Sequence, residues 1–147
     1  MKVIFLDFNG VLDTNTNMDI IDKDNLLRLK KIVDETNSNV VISSSLKNNS
    51  YKEGKYTENL IEFIIEPLEE FGINVYGITP NKYTREEEIT AYLNSHPEVE
   101  NFCILDDEFE FLKYKDNFVK TEFNGNGIED IHVNKAIKIL NKKKTFD

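Results

Sequence analysis

The stretch FLDFNGVLDT, residues 5–14, decides how this chain folds. Its first residues continue the apolar run from Val3 to Leu6 and then stop at Asp7, a pattern typical of a buried β-strand that ends on a carboxylate. Gly10 follows and lets the chain turn sharply without a side-chain clash. A carboxylate in this place can attack phosphorus or bind a hard cation, although a polar residue that simply ends a strand has the same pattern.

Apolar runs of the same kind alternate with helical patterns along the chain. The predicted strands are Val3 to Leu6, Val40 to Ile42, Val75 to Ile78, Phe102 to Leu105 and Phe118 to Val119. The predicted helices follow a cap at Asp22, span Leu60 to Leu68 with Pro67 as a kink or limit, follow a capping box of Thr84 and Glu87, and start near Asp130. This alternation predicts an α/β fold, a three-layer, Rossmann-like arrangement with a mostly parallel five-stranded sheet and helices on both faces.

Length and composition limit the classes of function. The 147 residues suit one domain, residues 1–147, and the hydrophobic content of 39% suits a folded globular protein. The net charge of -9 argues against an extended nucleic-acid surface but leaves room for one nucleic-acid end at a small site. The apolar N-terminal run is too short for a signal peptide or a membrane span, so we expect a cytoplasmic protein with no membrane partner. Cys103 stands alone in an apolar stretch and is expected to be a buried, inert thiol.

Polar residues collect where the predicted strands end, which is where ligands bind in such sheets. They are Asp7, Ser43 to Ser45, Thr79, Asp106 and Asp107. Close carboxylates repel by on the order of 4 kcal/mol per pair at an effective dielectric constant of about 20, and a divalent cation removes that cost. A few oxygen ligands suit Mg2+ better than Ca2+ or zinc, and neither His96 nor His132 has the spacing of a zinc ligand. Arg85 opens a predicted helix, where a cation opposes the macrodipole, so it is a candidate functional residue as well as an ordinary surface one.

Four motifs in this order resemble the haloacid dehalogenase (HAD) superfamily. They are Asp7-x-Asn9-Gly10-Val11-Leu12, Val40-Val41-Ile42-Ser43-Ser44-Ser45, Arg85 at a helix start, and Ile104-Leu105-Asp106-Asp107. The segments VVISSSLK, REEEI and FCILDDE are similar to those of the small HAD domains associated with RNA-repair proteins, and the resemblance covers residues 2 to about 128. It implies a HAD-like fold, Mg2+ as cofactor, and phosphomonoester hydrolysis through an aspartyl-phosphate intermediate.

The resemblance implies catalytic and metal-binding groups. Asp7 would be the nucleophile and a ligand of Mg2+, and Asp106 and Asp107 would hold the metal as well. Position 9 would be the general acid and base, and its backbone carbonyl would bind the metal. This chain has Asn9 there, and an amide cannot exchange a proton with the leaving group, so a rate factor of roughly 10^2 to 10^4 is absent.

The resemblance also implies phosphate-binding groups. Ser44 would bind the phosphoryl group, with Ser43 as the alternative because the end of the strand is fixed only to within a residue. Gly10 is a further candidate for phosphate binding. Arg85, or Lys82 in its place, would stabilise the nucleophile and the phosphoryl oxygens.

Asn9 leaves three accounts open. The chain is a natural variant that acts on a good leaving group or turns over slowly, an inactive module that binds phosphate groups or nucleic-acid ends, or a variant with an engineered change from Asp. We therefore expect a Mg2+-dependent HAD-like phosphohydrolase that Asn9 impairs, with the inactive module as the alternative. A receiver domain is disfavoured because its paired acids follow the first strand, whereas Asp106 and Asp107 follow the fourth.

The spacing of the motifs leaves no room for a sizeable cap domain. One loop and one helix fit between Asp7 and Ser44, and one helix and one strand fit between Ser45 and Arg85. An uncapped site is open to large substrates, so the resemblance points to a phosphorylated substrate such as a macromolecule or a nucleic-acid end. Residues 11–20 and 46–56 remain candidate lids over a small ligand.

Overall fold

The computed structural model describes residues 1–17, 20–44, 51–52, 55–56, 61–108, 111–122 and 125–143. Ser45, Leu60 and parts of both candidate lids lie outside these ranges. The described strands are β1 (Lys2–Leu6), β2 (Ser38–Ile42), β3 (Tyr51–Lys52), β4 (Lys55–Tyr56), β5 (Val75–Ile78), β6 (Asn101–Asp106) and β7 (Phe118–Lys120). Five of them form a parallel sheet in the order β5-β2-β1-β6-β7, whereas β3 and β4 form an antiparallel pair.

The predicted strands are all present, and the predicted fold class is confirmed. β1 lies at the centre of the sheet, and Val3 to Leu6 are buried because helices cover both faces. The chain proceeds outward from β1 to β2 on one side and later to β6 on the other. The strand order therefore reverses beside β1, and the crevice that binds ligands in this fold lies at the carboxyl ends of β1 and β6.

The described helices are α1 (Lys23–Thr36), a π-helical turn (Ile61–Ile65), α2 (Glu66–Glu70), α3 (Arg85–Ser95), a 3-10 helix (Leu112–Asn117) and α4 (Asp130–Leu140). Two predicted caps are in place, because the Asp22 carboxylate accepts from the N–H of Asn25 and the Thr84 hydroxyl from that of Glu87. Pro67 lies in the first turn of α2, where a missing N–H costs no helical bond. The second predicted helix therefore changes from π to α geometry just before Pro67.

Two cores sandwich the sheet. On one face α1 and α4 contribute Leu29, Ile32, Val133, Ala136 and Leu140. On the other face α3 places Ile89 and Tyr92 against Phe5 of β1. Cys103 is fully buried and free, and burial raises the pKa of its thiol, which confirms the expected inert cysteine. A fully buried Leu, Ile, Val or Phe side chain stabilises the fold by about 1.5 to 3 kcal/mol. The two packed cores therefore make the sheet a rigid support for the residues at its carboxyl edge.

One row of side chains crosses the carboxyl edge of the sheet. The parallel ladder continues one residue beyond β1, β2 and β5 through N–H···O bonds of 2.8 to 3.0 Å. Residues that are paired across parallel strands direct their side chains to the same face, here the face that α3 covers. Extension of the register gives the row Thr79, Ser43, Asp7, Asp106 and Lys120.

No cap domain is present in the described part of the chain, where the only insertion with strands is the short β3-β4 pair. Within those same ranges, no helix has the length and apolar character that crossing a membrane requires. The carboxyl edge of the sheet is therefore bordered by loops, chiefly residues 8–17 after β1 and 79–84 after β5.

Candidate active site

Three carboxylates meet at the carboxyl ends of the two strands beside the crevice. Asp7 follows β1, Asp106 ends β6 and Asp107 comes directly after it, and one carboxylate oxygen of each lies within 4.8 Å of the others. Asp7 and Asp106 are buried, whereas Asp107 is half-buried. Acids at this distance repel by about 3 kcal/mol per pair at an effective dielectric constant of about 20. The structure thus brings together the acids that the sequence singles out.

Asp7 is held by its backbone and its carboxylate. Its N–H donates to the carbonyl of Leu105 (3.0 Å), which continues the β1-β6 ladder, and its Oδ1 accepts from the N–H of Phe8 (2.8 Å). Burial raises the pKa of Asp7 well above its usual range, and the charge of Asp106 raises it further, against the opposing effect of Arg85. The folded chain therefore holds this carboxylate at a cost that a nearby cation would relieve.

Arg85 is the cation that the structure places among the acids. Its Nη1 donates to both carboxylate oxygens of Asp106 (2.9 and 2.8 Å) and lies 3.4 Å from Asp7 Oδ2. Burial alone would lower the pKa of the guanidinium, but Asp106 and Asp7 outweigh it and raise the pKa. Burial raises the pKa of Asp106 to about 6 in spite of this ion pair. One guanidinium therefore does not offset the cost of burying Asp106.

Lys82 does not take the place of Arg85. Its side chain is exposed and forms no ion pair within the described residues, and its backbone N–H donates to the Glu88 carboxylate (3.1 Å). The two residues differ because Arg85 begins α3 and extends across the sheet edge, whereas Lys82 lies in the loop before the Thr84 cap. Of the two candidates, Arg85 contacts the acids.

The serines after β2 are both buried. Ser43 belongs to the row that includes Asp7, and its N–H donates to the carbonyl of Leu6 (2.8 Å). Its hydroxyl has no hydrogen-bond partner within the described ranges, which is costly for a buried polar group. Ser44 is equally buried and makes interactions of its own. The row places the Ser43 hydroxyl beside Asp7, where it can donate to an anionic ligand.

The loop after Asp7 contains a second buried acid, Asp13. Its Oδ2 accepts from Asn9 Nδ2 and its Oδ1 from the Gly10 N–H, both at 2.7 Å. Gly10 has a φ of 80°, and a Cβ at this position would overlap the Asp107 carboxylate. Gly10 is therefore required both by the left-handed turn and by the close approach of Asp107.

Asp13 supports the loop beside the candidate site, and sequence reasoning does not single it out. It is 3% exposed, and it orients the side chain of Asn9 through a short bond. The pattern that could have indicated it is an acid three residues after a glycine turn, since Asp in a loop commonly accepts from nearby backbone N–H groups.

The donor set at the edge fits a hard divalent cation. Three carboxylate oxygens converge with only one guanidinium among them, and no thiolate or imidazole takes part in this cluster of described residues. Oxygen ligands of this kind suit Mg2+.

The fold and this edge are those of a HAD-like domain, a small Rossmann-like sheet with no cap among its described residues, whose acids lie at the point where the strand order reverses. Residues 3–133 match the family described as HAD domain in Swiss Army Knife RNA repair proteins. The chain belongs to this family of HAD domains. The match runs from β1 into α4 and so includes every element that contributes to the site. Neither a curated protein nor a solved structure matched the chain.

Proposed function

We propose that this chain is a Mg2+-dependent phosphomonoester hydrolase that forms an aspartyl-phosphate on Asp7. The observation that supports this most is the meeting of three carboxylates and one guanidinium at the carboxyl end of the central strand. Asp7, Asp106, Asp107 and the backbone carbonyl of Asn9 would hold the cation. When bound, Mg2+ would neutralise the acids and polarise the phosphoryl oxygens.

Asp7 would act as the nucleophile. A carboxylate oxygen forms a bond to phosphorus while the bond from phosphorus to the leaving oxygen breaks, and water later hydrolyses the acyl phosphate to release phosphate and restore Asp7. Phe8 and Arg85 hold its two oxygens, so the group is oriented before substrate binds. Of the two candidate serines, Ser43, the alternative to Ser44 in the sequence prediction, would donate to a phosphoryl oxygen, because its buried hydroxyl has no partner within the described ranges.

Asn9 would limit the rate of turnover and would restrict the chain to substrates whose leaving group needs no proton. Its Nδ2 donates to Asp13, and an amide gives no proton to a leaving alkoxide, so turnover is roughly 10^2 to 10^4 lower than with a carboxylic acid there. An aryl phosphate, whose leaving group needs no proton, should be a better substrate than an alkyl phosphate.

The alternative is a module that binds phosphate groups without turnover. The hydrogen bond from Asn9 Nδ2 to Asp13 favours this alternative. It pairs the Asn9 amide with an acceptor inside the protein, and the amide has no acidic proton to give to a substrate. In both cases Asp107 and its neighbours would bind Mg2+ and a phosphate.

We propose a phosphorylated RNA end as the partner and the cytoplasm as the location. The family description mentions RNA repair, and the edge has no cap domain within the described ranges, so a long chain can reach it. The net charge of -9 disfavours contact along many phosphates and so limits binding to the end of a strand.

Hydrolysis of 4-nitrophenyl phosphate, with Mg2+ and with EDTA, tests the proposal. We expect turnover that needs Mg2+ and falls by about 10^3-fold or more in Asp7→Asn. Asp34→Asn is the matched control, since Asp34 lies on α1, is 57% exposed and pairs with Lys30. Turnover that survives Asp7→Asn would contradict the proposal, and phosphate binding without turnover would favour the module.

A further inference from the structure

Tyr83 is the most exposed of the large hydrophobic residues in the described chain. Its side chain is 99% exposed, whereas the next such residue is 64% exposed. The ring therefore adds nothing to the core, and its removal should leave the fold intact.

The backbone on either side of Tyr83 is nevertheless fixed by hydrogen bonds. The N–H of Lys82 before it donates to Glu88, a buried carboxylate, and the hydroxyl of Thr84 after it caps α3 through Glu87. Both neighbours of Tyr83 are thus fixed to the first turns of α3. Because the backbone at Tyr83 is already ordered, a ligand that binds the ring has only the side-chain rotamer to fix.

This position lies at the rim of the acid cluster. Arg85, two residues further on, reaches Asp7 with its guanidinium (3.4 Å), so one arginine side chain and two residues of backbone join Tyr83 to the acid cluster. The loop that carries Tyr83 follows β5, whose end residue Thr79 belongs to the same row as Asp7. A group that extends from a phosphate at Asp7 toward this loop would therefore meet the ring.

One cation lies next to the ring in the chain, the exposed Lys82. Lys113 is exposed where the 3-10 helix meets α3, since its N–H donates to Glu86 (2.6 Å), but its Nζ lies over the ring of Tyr114. Acidic neighbours such as Glu87 and Glu108 are exposed as well, so no broad basic surface is present on the described residues of this rim. The charge suits one or two phosphates and no more.

We propose that Tyr83, with Lys82 beside it, stacks against the base of the terminal nucleotide whose phosphate occupies the acid cluster. This inference rests on the proposed function and names its substrate class, a single-stranded nucleic acid with a terminal phosphate monoester. Every base has a π face, so the contact is tolerant of sequence. Because it uses few phosphates, affinity should fall only weakly with salt, with a slope near -1 in log-log form for one or two contacts to a single strand.

Fluorescence anisotropy of labelled 8-mer RNA tests this. The strands carry a non-hydrolysable phosphonate at the 3′ or the 5′ end and the dye at the other end, and Mg2+ is present. We expect Tyr83→Ala to weaken binding of at least one strand by about 5- to 150-fold. Tyr83→Phe, which keeps the ring, should restore it. Tyr76→Ala is the matched control, because Tyr76 contacts His96 at the far end of α3.

An abasic terminal nucleotide makes the test specific. In the wild-type chain it should cost the same factor as Tyr83→Ala, and in Tyr83→Ala it should cost nothing more, because both changes remove one contact. The chain has no tryptophan, so Tyr83→Trp adds a single reporter whose emission should be quenched by the strand, whereas Tyr76→Trp should not respond.

Equal affinity of wild type and Tyr83→Ala for the strand would overturn the inference, and so would an abasic terminus that binds as tightly as the complete strand. A third contrary result is displacement of the strand by a phosphoserine peptide of equal charge whose own binding is weakened by Tyr83→Ala. These outcomes are separate from the proposed function, which the aryl phosphate assay decides. Strand binding that depends on Tyr83 without any turnover would keep the inference and reject hydrolysis.

Discussion

Two buried acids at the carboxyl end of β1, Asp7 and Asp13 of the loop that follows it, differ in what surrounds them. Both are less than 5% exposed, at 4% and 3%. Asp13 accepts from an amide and a backbone N–H, each at 2.7 Å. Asp7 has one backbone bond, one guanidinium at 3.4 Å and two carboxylates nearby.

The difference separates a structural acid from a functional one. Donors around Asp13 replace the water that it loses on folding, so its charge stabilises the loop. The acids around Asp7 do the opposite and raise its pKa, so the fold retains an arrangement that is unfavourable without a ligand. Without a ligand, the acids around Asp7 therefore lower the free energy of unfolding, whereas the hydrogen bonds of Asp13 raise it.

Asn9→Asp should produce the largest effect. If Asn9 limits the chemistry, the new carboxylic acid should raise hydrolysis of alkyl phosphates by roughly 10^2 to 10^4, measured as kcat with Mg2+. The same change places a carboxylate against Asp13 in place of the amide that donates to it, so the free energy of unfolding should fall by about 2 kcal/mol.

A double variant that exchanges the side chains at positions 9 and 13 separates the effect on kcat from the effect on stability. In Asn9→Asp with Asp13→Asn, the new amide can donate to the new acid and still accept from the Gly10 N–H. Urea unfolding should show most of the lost stability restored, while the gain in kcat remains. A double variant as unstable as Asn9→Asp alone would show that the contact between these two side chains is not what holds the loop.

Asp13→Ala and Asp107→Asn should change stability in opposite directions when Mg2+ is absent. Asp13→Ala removes two charge-assisted hydrogen bonds and should lower the free energy of unfolding by about 3 kcal/mol. Asp107→Asn removes a charge near Asp7 and Asp106 and should raise it by about 1 kcal/mol. Urea unfolding in EDTA measures both. Destabilisation by both variants would remove the distinction between the two regions.

His132 is a buried base whose surroundings also shift its pKa. Its Nδ1 accepts from the N–H of Glu129 at the start of α4, and burial lowers its pKa below 6.5. The unfolded chain then takes up the proton more readily, so stability is fully present above pH 6.5 and is lost as the pH falls below it. His132→Gln keeps an acceptor at this position, and the stability of the wild type relative to this variant should decrease from pH 7.5 to pH 5. A constant difference over that range would show that His132 is not held neutral.

The fold and the acids of the site follow from the sequence because both depend on local patterns. Short apolar runs identify the strands, and the caps at Asp22 and Thr84 identify helix starts. Residues at strand ends then meet because parallel strands share one carboxyl edge, as Asp7 and Asp106 do.

Other features depend on contacts that no local pattern determines. The bond between Asp13 and Asn9 forms only because the loop turns back at Gly10, and the alignment of Ser43 with Asp7 depends on where the ladder stops. The choice of Arg85 over Lys82 follows from the exact start of α3. The π-helical turn before Pro67 is also invisible in the sequence, because its apolar spacing equally fits a regular helix.

Thermal unfolding of wild type and Asp107→Asn across a Mg2+ titration tests the central claim, that the acids at the sheet edge share one cation. At ten times the dissociation constant, Mg2+ should stabilise the wild type by about 1.4 kcal/mol and raise Tm by roughly 3 to 6 °C. Asp34→Asn should respond like the wild type, whereas Asp107→Asn should show little or no shift. The same shift in Asp107→Asn, or none in the wild type at 10 mM Mg2+, would contradict the account.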